Sequence, residues 1–241
     1  MAKKNQKQQE NKKKQAVILS VIALVVFLIV LGVAVADAVS SGKDAESTTE
    51  TAIENTDNGN AKTAEEAASA ATDFETTHYA DIEVADYGTI TVALAGNVAP
   101  LTVENFVSLA ESGFYDGLTF HRIMEGFMMQ GGDPTGTGMG GSEETIKGEF
   151  SQNGVENPIT HVRGAISMAR SNEMDSASSQ FFIVHEDSTF LDGAYAAFGY
   201  VTEGMEVVDA VCSAAQPTDN NGTIPAEAQP VITSVTIREA E

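Results

Sequence analysis

Residues 120–133 read Phe-His-Arg-Ile-Met-Glu-Gly-Phe-Met-Met-Gln-Gly-Gly-Asp. One guanidinium, Arg122, stands there among Phe120, Ile123, Met124, Phe127, Met128 and Met129, with Gln130 close behind. Arginine is always charged and carries its donors in a rigid fork. Beside an apolar surface, that fork can grip the polar atoms of a ligand whose body is greasy. It can also simply snorkel off a strand, with its stem on the apolar face and its head in water. These residues alone leave both readings open.

A second block bears on the choice. Residues 164–168 lead into Ala169-Arg170-Ser171. After a polar loop come Ser179-Gln180-Phe181-Phe182-Ile183-Val184, then Phe190-Leu191-Asp192-Gly193 and Phe198-Gly199. With Phe-His-Arg and Gln-Gly-Gly-Asp, these segments resemble the cyclophilins, the peptidyl-prolyl cis/trans isomerases, in order and approximate spacing from Tyr79 onward. The resemblance implies an all-β-dominated fold, a closed eight-stranded antiparallel β-barrel capped by two α-helices. It implies a catalytic Arg122, with Gln130 orienting it and hydrogen-bonding substrate backbone. Phe127, Met128, Phe182 and Leu191 would line a proline pocket, and Ala169 and Arg170 would bind the peptide through backbone groups. Phe190 and Tyr195 would form the rim, standing where many members carry tryptophan and histidine; Arg170 replaces the usual asparagine. The expected partners are proline-containing polypeptides met by a monomer, with no cofactor.

The chemistry such a site must perform is modest in kind. Rotation about an Xaa-Pro bond faces a barrier of roughly 18–20 kcal/mol from amide resonance. A pocket that holds the ring, with a donor that favours the twisted nitrogen over the planar one, lowers that barrier without breaking a bond. A non-catalytic proline-peptide-binding or chaperone module is the alternative, but such a module would be free to lose Arg122.

The elements that must position these residues are legible from periodicity. Ile82 and Val84, a turn at Asp86-Tyr87-Gly88, and alternating Ile90, Val92 and Leu94 predict a β-hairpin with one buried face. Pro100 opens a helical pattern of Val103, Phe106, Val107 and Ala110, which Gly113 ends. A second helix is predicted at 205–214 with Val208 and Val211 inward, and a last strand holds Val235 and Ile237. Many short strands and two helices suggest a barrel with helical caps.

Charge divides the chain. Its net charge is −22, yet six of its 13 basic residues precede Ala16, where Glu10 is the sole acid; the remainder carries −27. That excludes a phosphate-binding nucleic-acid protein. Residues 1–15 read as a basic cytoplasmic N-terminus. Residues 16–36, apolar except for Ser20 and Gly32, are long enough to span a bilayer as a transmembrane helix or to act as a signal sequence cleaved after Ala36. Residues 37–78 read as a flexible acidic linker, and 79–241 as the prolyl isomerase domain, extracytoplasmic and tethered to the cell membrane through the N-terminal helix. The scattered histidines predict no metal site, and the single Cys212 permits no internal disulfide. Residues 136–141 match the dinucleotide fingerprint but lack its strand and helix, so they read as a surface loop; Asn221-Gly222 reads as a turn.

Overall fold

A computed structural model of the protein describes residues 74–240; the basic N-terminus, the apolar run and nearly all of the acidic linker lie outside these residues. Among the described residues no helix is long and apolar enough to cross a membrane.

The predicted hairpin forms from β1 (His78–Val84) and β2 (Gly88–Leu94), paired from Val84↔Gly88 to His78↔Leu94. Asp86 and Gly88 turn the chain with positive φ, a conformation that aspartate tolerates and glycine adopts freely. Helix α1 (Pro100–Glu111) follows, with proline at its start and Thr102, Val103, Phe106 and Ala110 facing inward. Next come β3 (Phe120–Met124), β4 (Met128–Gly131), β5 (Ala165–Met168), β6 (Phe181–Val184), β7 (Ala197–Glu203), α2 (Met205–Ala214) and β8 (Ile232–Glu239).

The eight strands make one antiparallel sheet in the order β3-β4-β6-β5-β7-β2-β1-β8. The expectation of a closed barrel is corrected to a curled half-barrel. β8 pairs along its length with β1, from His78↔Glu239 to Val84↔Ile232. Between the outer edges, β3 and β8, the contact is a single bridge, Thr119↔Val231, with backbone bonds around it from Gly117 to Ile232 and from Phe120 to Pro230.

Period-two alternation divides the apolar residues between two clusters. Met129 and Phe181 turn inward, where Phe181 meets Phe106 edge-to-face at 5.4 Å and Tyr115 at 5.5 Å. Met128 and Phe182 turn the other way and join Leu191, Ala165 and Tyr200 in a second, smaller cluster. Phe74, ahead of β1, stacks on Tyr200 at 6.0 Å.

Two carboxylates hold the loops. The α1 N-terminus has no cap from its own flanking residue; Glu149 supplies one from 47 residues away, accepting from the N–H and hydroxyl of Thr102 at 2.8 and 2.7 Å and from Leu101 N–H at 3.1 Å. The glycine-rich run 136–141 is a loop, as its sequence context implied. Asp133 closes it by accepting from the N–H groups of Thr135, Thr137, Gly138 and Gly140 and from the Thr135 hydroxyl. Burial would raise the Asp133 pKa, but these donors outweigh it and bring it down to about 2.

Glu149→Ala leaves buried helix N–H groups unpaired, so we expect a loss of about 1–3 kcal/mol and a Tm fall on the order of 5 °C, measured by thermal denaturation. For Asp133 the folded pKa lies below the unfolded value. Its contribution is therefore complete above about pH 5 and is lost as pH falls through 2, about 2 to 2.5 kcal/mol in all. Urea denaturation at a series of pH values should show this acid loss in the wild type, and Asp133→Asn should remove that component.

Candidate active site

Arg122 and Gln130 face each other in the β3–β4 register, which puts both side chains on one face of the sheet. The guanidinium is fixed on two sides. Nε donates to Asn221 O at 2.7 Å and Nη1 to Gln130 Oε1 at 3.1 Å. Nη2 lies 3.5 Å from Met124 Sδ, a weak acceptor, and the Phe127 ring centre is 5.9 Å from Cζ. Burial lowers the Arg122 pKa, with Tyr195 and Asp219 acting the other way. Asn221 presents its carbonyl from the predicted turn. Gly222 adopts φ 86° there, and a Cβ in its place would meet Met124 Cγ at 2.5 Å.

The hydrogen bonds continue beyond Gln130. Its Nε2 donates to Gln180 Oε1 at 2.9 Å, and Gln180 Nε2 donates to Gly140 O at 2.7 Å. A guanidinium at one end and a carbonyl at the other fix the direction of both amides, since the first can only donate and the second only accept.

Nine of the ten residues expected at the site line one hollow of about 130 Å³: Arg122, Phe127, Met128, Gln130, Ala169, Arg170, Phe182, Leu191 and Tyr195. Met128, Phe182 and Leu191 are buried and form its apolar wall. Phe190 is the exception. It is 74% exposed and tilts against Phe127 at 5.6 Å, outside the hollow. The Ala169 N–H is already bonded to Gln180 O at 2.9 Å, so of its backbone groups the carbonyl is the one left for a peptide.

Arg170 goes beyond the backbone contact expected of it. Its guanidinium lies 5.0 Å from the Phe150 ring centre and 4.8 Å from that of Tyr195, and its Nε donates to Ala194 O at 2.9 Å. The side chain thus braces the rim where Tyr195 stands. A second hollow, of about 480 Å³, adjoins the first and shares Gln130, Ala169 and Arg170 with it; the glycine loop and Gln180 line its far side.

Sequence reasoning missed two features of this site. Gln180 lay within a quoted motif, but only the fold shows it continuing the chain from Gln130. His161 was set aside as scattered, yet its Nδ1 pairs with Asp192 Oδ1 at 2.8 Å, its Nε2 meets Ser167 Oγ at 2.9 Å and its ring stacks under Phe182 at 6.0 Å. Burial lowers the His161 pKa, with Asp192 opposing. The connectivity is that of a serine–histidine–aspartate relay, but Ser167 and His161 are both 0% exposed, so no substrate carbonyl can reach the hydroxyl. The group supports the hollow by holding Phe182 and the segment carrying Leu191. Among the described residues no three histidine, cysteine or acidic side chains cluster as a metal site would require.

The arrangement is an apolar hollow beside a fixed cationic donor, and related proteins share its framework. The family profile described as "Cyclophilin type peptidyl-prolyl cis-trans isomerase/CLD" matches residues 79–241. Peptidyl-prolyl cis-trans isomerase B of Bacillus subtilis is 51% identical over 121 residues, covering 50% of this chain and 81% of that one. A peptidyl-prolyl cis-trans isomerase of Helicobacter pylori strain J99 is 46% identical over 137 residues, covering 56% and 81%. A cyclophilin type isomerase of Cryptosporidium parvum, crystallised in the presence of the dipeptide Ala-Pro, superposes with a TM-score of 0.59 at 28% identity, over 67% of this chain and 99% of that one. With two thirds of its length matched to that profile, the chain belongs to the cyclophilin-type peptidyl-prolyl cis-trans isomerases.

Proposed function

We propose that the chain isomerises Xaa-Pro bonds of exported proteins and assists their folding outside the cytoplasmic membrane, held there by residues 16–36. The observation that carries the catalytic part is the half-buried Arg122 fixed beside a hollow walled by Met128, Phe182 and Leu191. The proline ring enters the hollow, and the carbonyl before it turns against the rim. Nη2 has only a thioether as its protein partner, so its N–H is available to the proline nitrogen as that atom becomes pyramidal and exposes its lone pair. The planar amide offers no such acceptor, so the donor favours the transition state over both ground states. Gln130 holds the fork in place throughout. The Ala-Pro dipeptide used with the C. parvum relative supports a proline-containing peptide as the ligand of this hollow.

Export rests on charge and length. Six lysines before Ala16 favour an N-terminus retained inside, and the following 21 apolar or small residues suffice to span the hydrocarbon core. Residues 37–78 would then tether the isomerase domain to the outer surface.

Arg122→Ala should lower kcat/KM by roughly 10- to 1,000-fold, about 1.4–4 kcal/mol, with an unchanged circular dichroism spectrum; a prolyl-isomerisation assay on the purified full chain measures it. Arg122→Lys should recover little of this, because an ammonium carries its three donors on one nitrogen and cannot span the positions from which Nε and Nη1 reach Asn221 O and Gln130 Oε1 while directing a third donor at the proline nitrogen. Wild-type activity in Arg122→Ala would refute the mechanism. Protease added to intact cells should release an active fragment starting near His78. Resistance until lysis would place the domain inside, and a protein already in the medium beginning at Asp37 would favour a cleaved signal.

A further inference from the structure

His185 follows β6 directly and grips the β3–β4 turn from both sides of Phe127's peptide group. Its backbone N–H donates to Phe127 O at 2.9 Å, and its Nδ1 accepts from Gly126 N–H at 2.9 Å. An Nδ1 that accepts from an amide carries no proton, so the proton sits on Nε2, which faces Asp209 Oδ1 of α2 at 3.1 Å. Asp209 is held in turn by both oxygens on Arg163 Nη2 at 2.8 Å, and Arg163 Nη1 donates to His185 O at 2.8 Å. The His185 side chain is 11% exposed, and both of its ring nitrogens have partners.

Phe127 differs from the other walls of the hollow. Met128, Phe182 and Leu191 are packed into the smaller cluster, whereas Phe127 is only partly buried and rides on a turn whose Gly126 has φ 78°. Its ring lies beside both Arg122 and Phe190. The ring packs against the smaller cluster from its edge, and the hydrogen bonds that His185 makes to the turn fix the backbone that carries it.

We propose that His185 is a positioning residue for prolyl isomerisation, one that fixes Phe127 against Arg122 through the Nδ1 bond to Gly126. The proposal rests on the hollow at Arg122 being the catalytic one. A displacement of about 1 Å in a group that orients substrate can cost on the order of 100-fold in rate, so a modest shift of the turn is sufficient to be measured.

Two substitutions separate the imidazole's two bonds. His185→Asn puts Oδ1 where Nδ1 was, keeping the acceptor for Gly126 and losing Asp209. His185→Gln reaches Asp209 but leaves Gly126 without its acceptor. In the full chain, assayed well below the Tm of each variant, His185→Gln should lose about 10-fold in kcat/KM, mainly in kcat, and His185→Asn should stay within about twofold of wild type. A purely structural tether gives the opposite order or no loss in either, and either result overturns the proposal. Arg122→Ala is assayed alongside: if it retains activity the catalytic reading fails, and if it is inactive while His185→Gln is not, only the role of His185 fails. Should the variants not fold, 15N NMR of the wild-type full chain decides. A bare Nδ1 coupled across the hydrogen bond to the Gly126 amide, with both resonances shifting as Ala-Pro peptide saturates the protein, is expected. A protonated Nδ1, or no shift at saturation, overturns it.

Discussion

Side chains on a strand must alternate, and this constraint governs the molecule. Met128-Met129 and Phe181-Phe182 are adjacent apolar pairs that cannot both enter one core. One member of each builds the main core with Phe106 and Tyr115, while the other is driven to the opposite face. An apolar cluster on that second face has too few neighbours to close over itself, and the opening it leaves is the hollow. The pocket is thus a by-product of the pleat, placed wherever two central strands each carry an apolar pair.

The guanidinium beside this hollow is held by groups from widely separated parts of the chain: a turn carbonyl at Asn221, a neighbouring-strand amide at Gln130 and, through it, Gln180 and Gly140. Each bond is ordinary in strength. Together they remove the rotational freedom that a long side chain would otherwise lose on meeting substrate, which is what preorganisation means for a donor acting on one lone pair.

Much of this was legible in the sequence. Alternation revealed the β1–β2 hairpin, Pro100 and Gly113 bracketed α1, and the paired motifs located nine residues that line the hollow. What stayed hidden depends on contacts distant in sequence. No local pattern shows that Glu149 caps a helix 47 residues earlier, or that Arg170 lies between the Phe150 and Tyr195 rings. How far Phe190 stands out at the rim was not legible either, because a motif gives the order of residues but not the direction of a side chain in a short 3-10 turn. The closed barrel was overdrawn for a related reason: strand count is readable from pattern, whereas which edges share a full ladder is settled by where β8 finds its partner.

The far end of the donor chain has a consequence for how this protein can diverge. Gly140 contributes a backbone carbonyl, which no substitution removes, so the exposed side chains of the glycine loop, Met139 at 90% exposure included, are free to drift without disturbing Arg122. Gly140 itself is not free, because a Cβ there would collide with Asp133 and Thr135. Over a lineage, the loop can present new surfaces to new polypeptides while the orientation of the guanidinium is inherited intact.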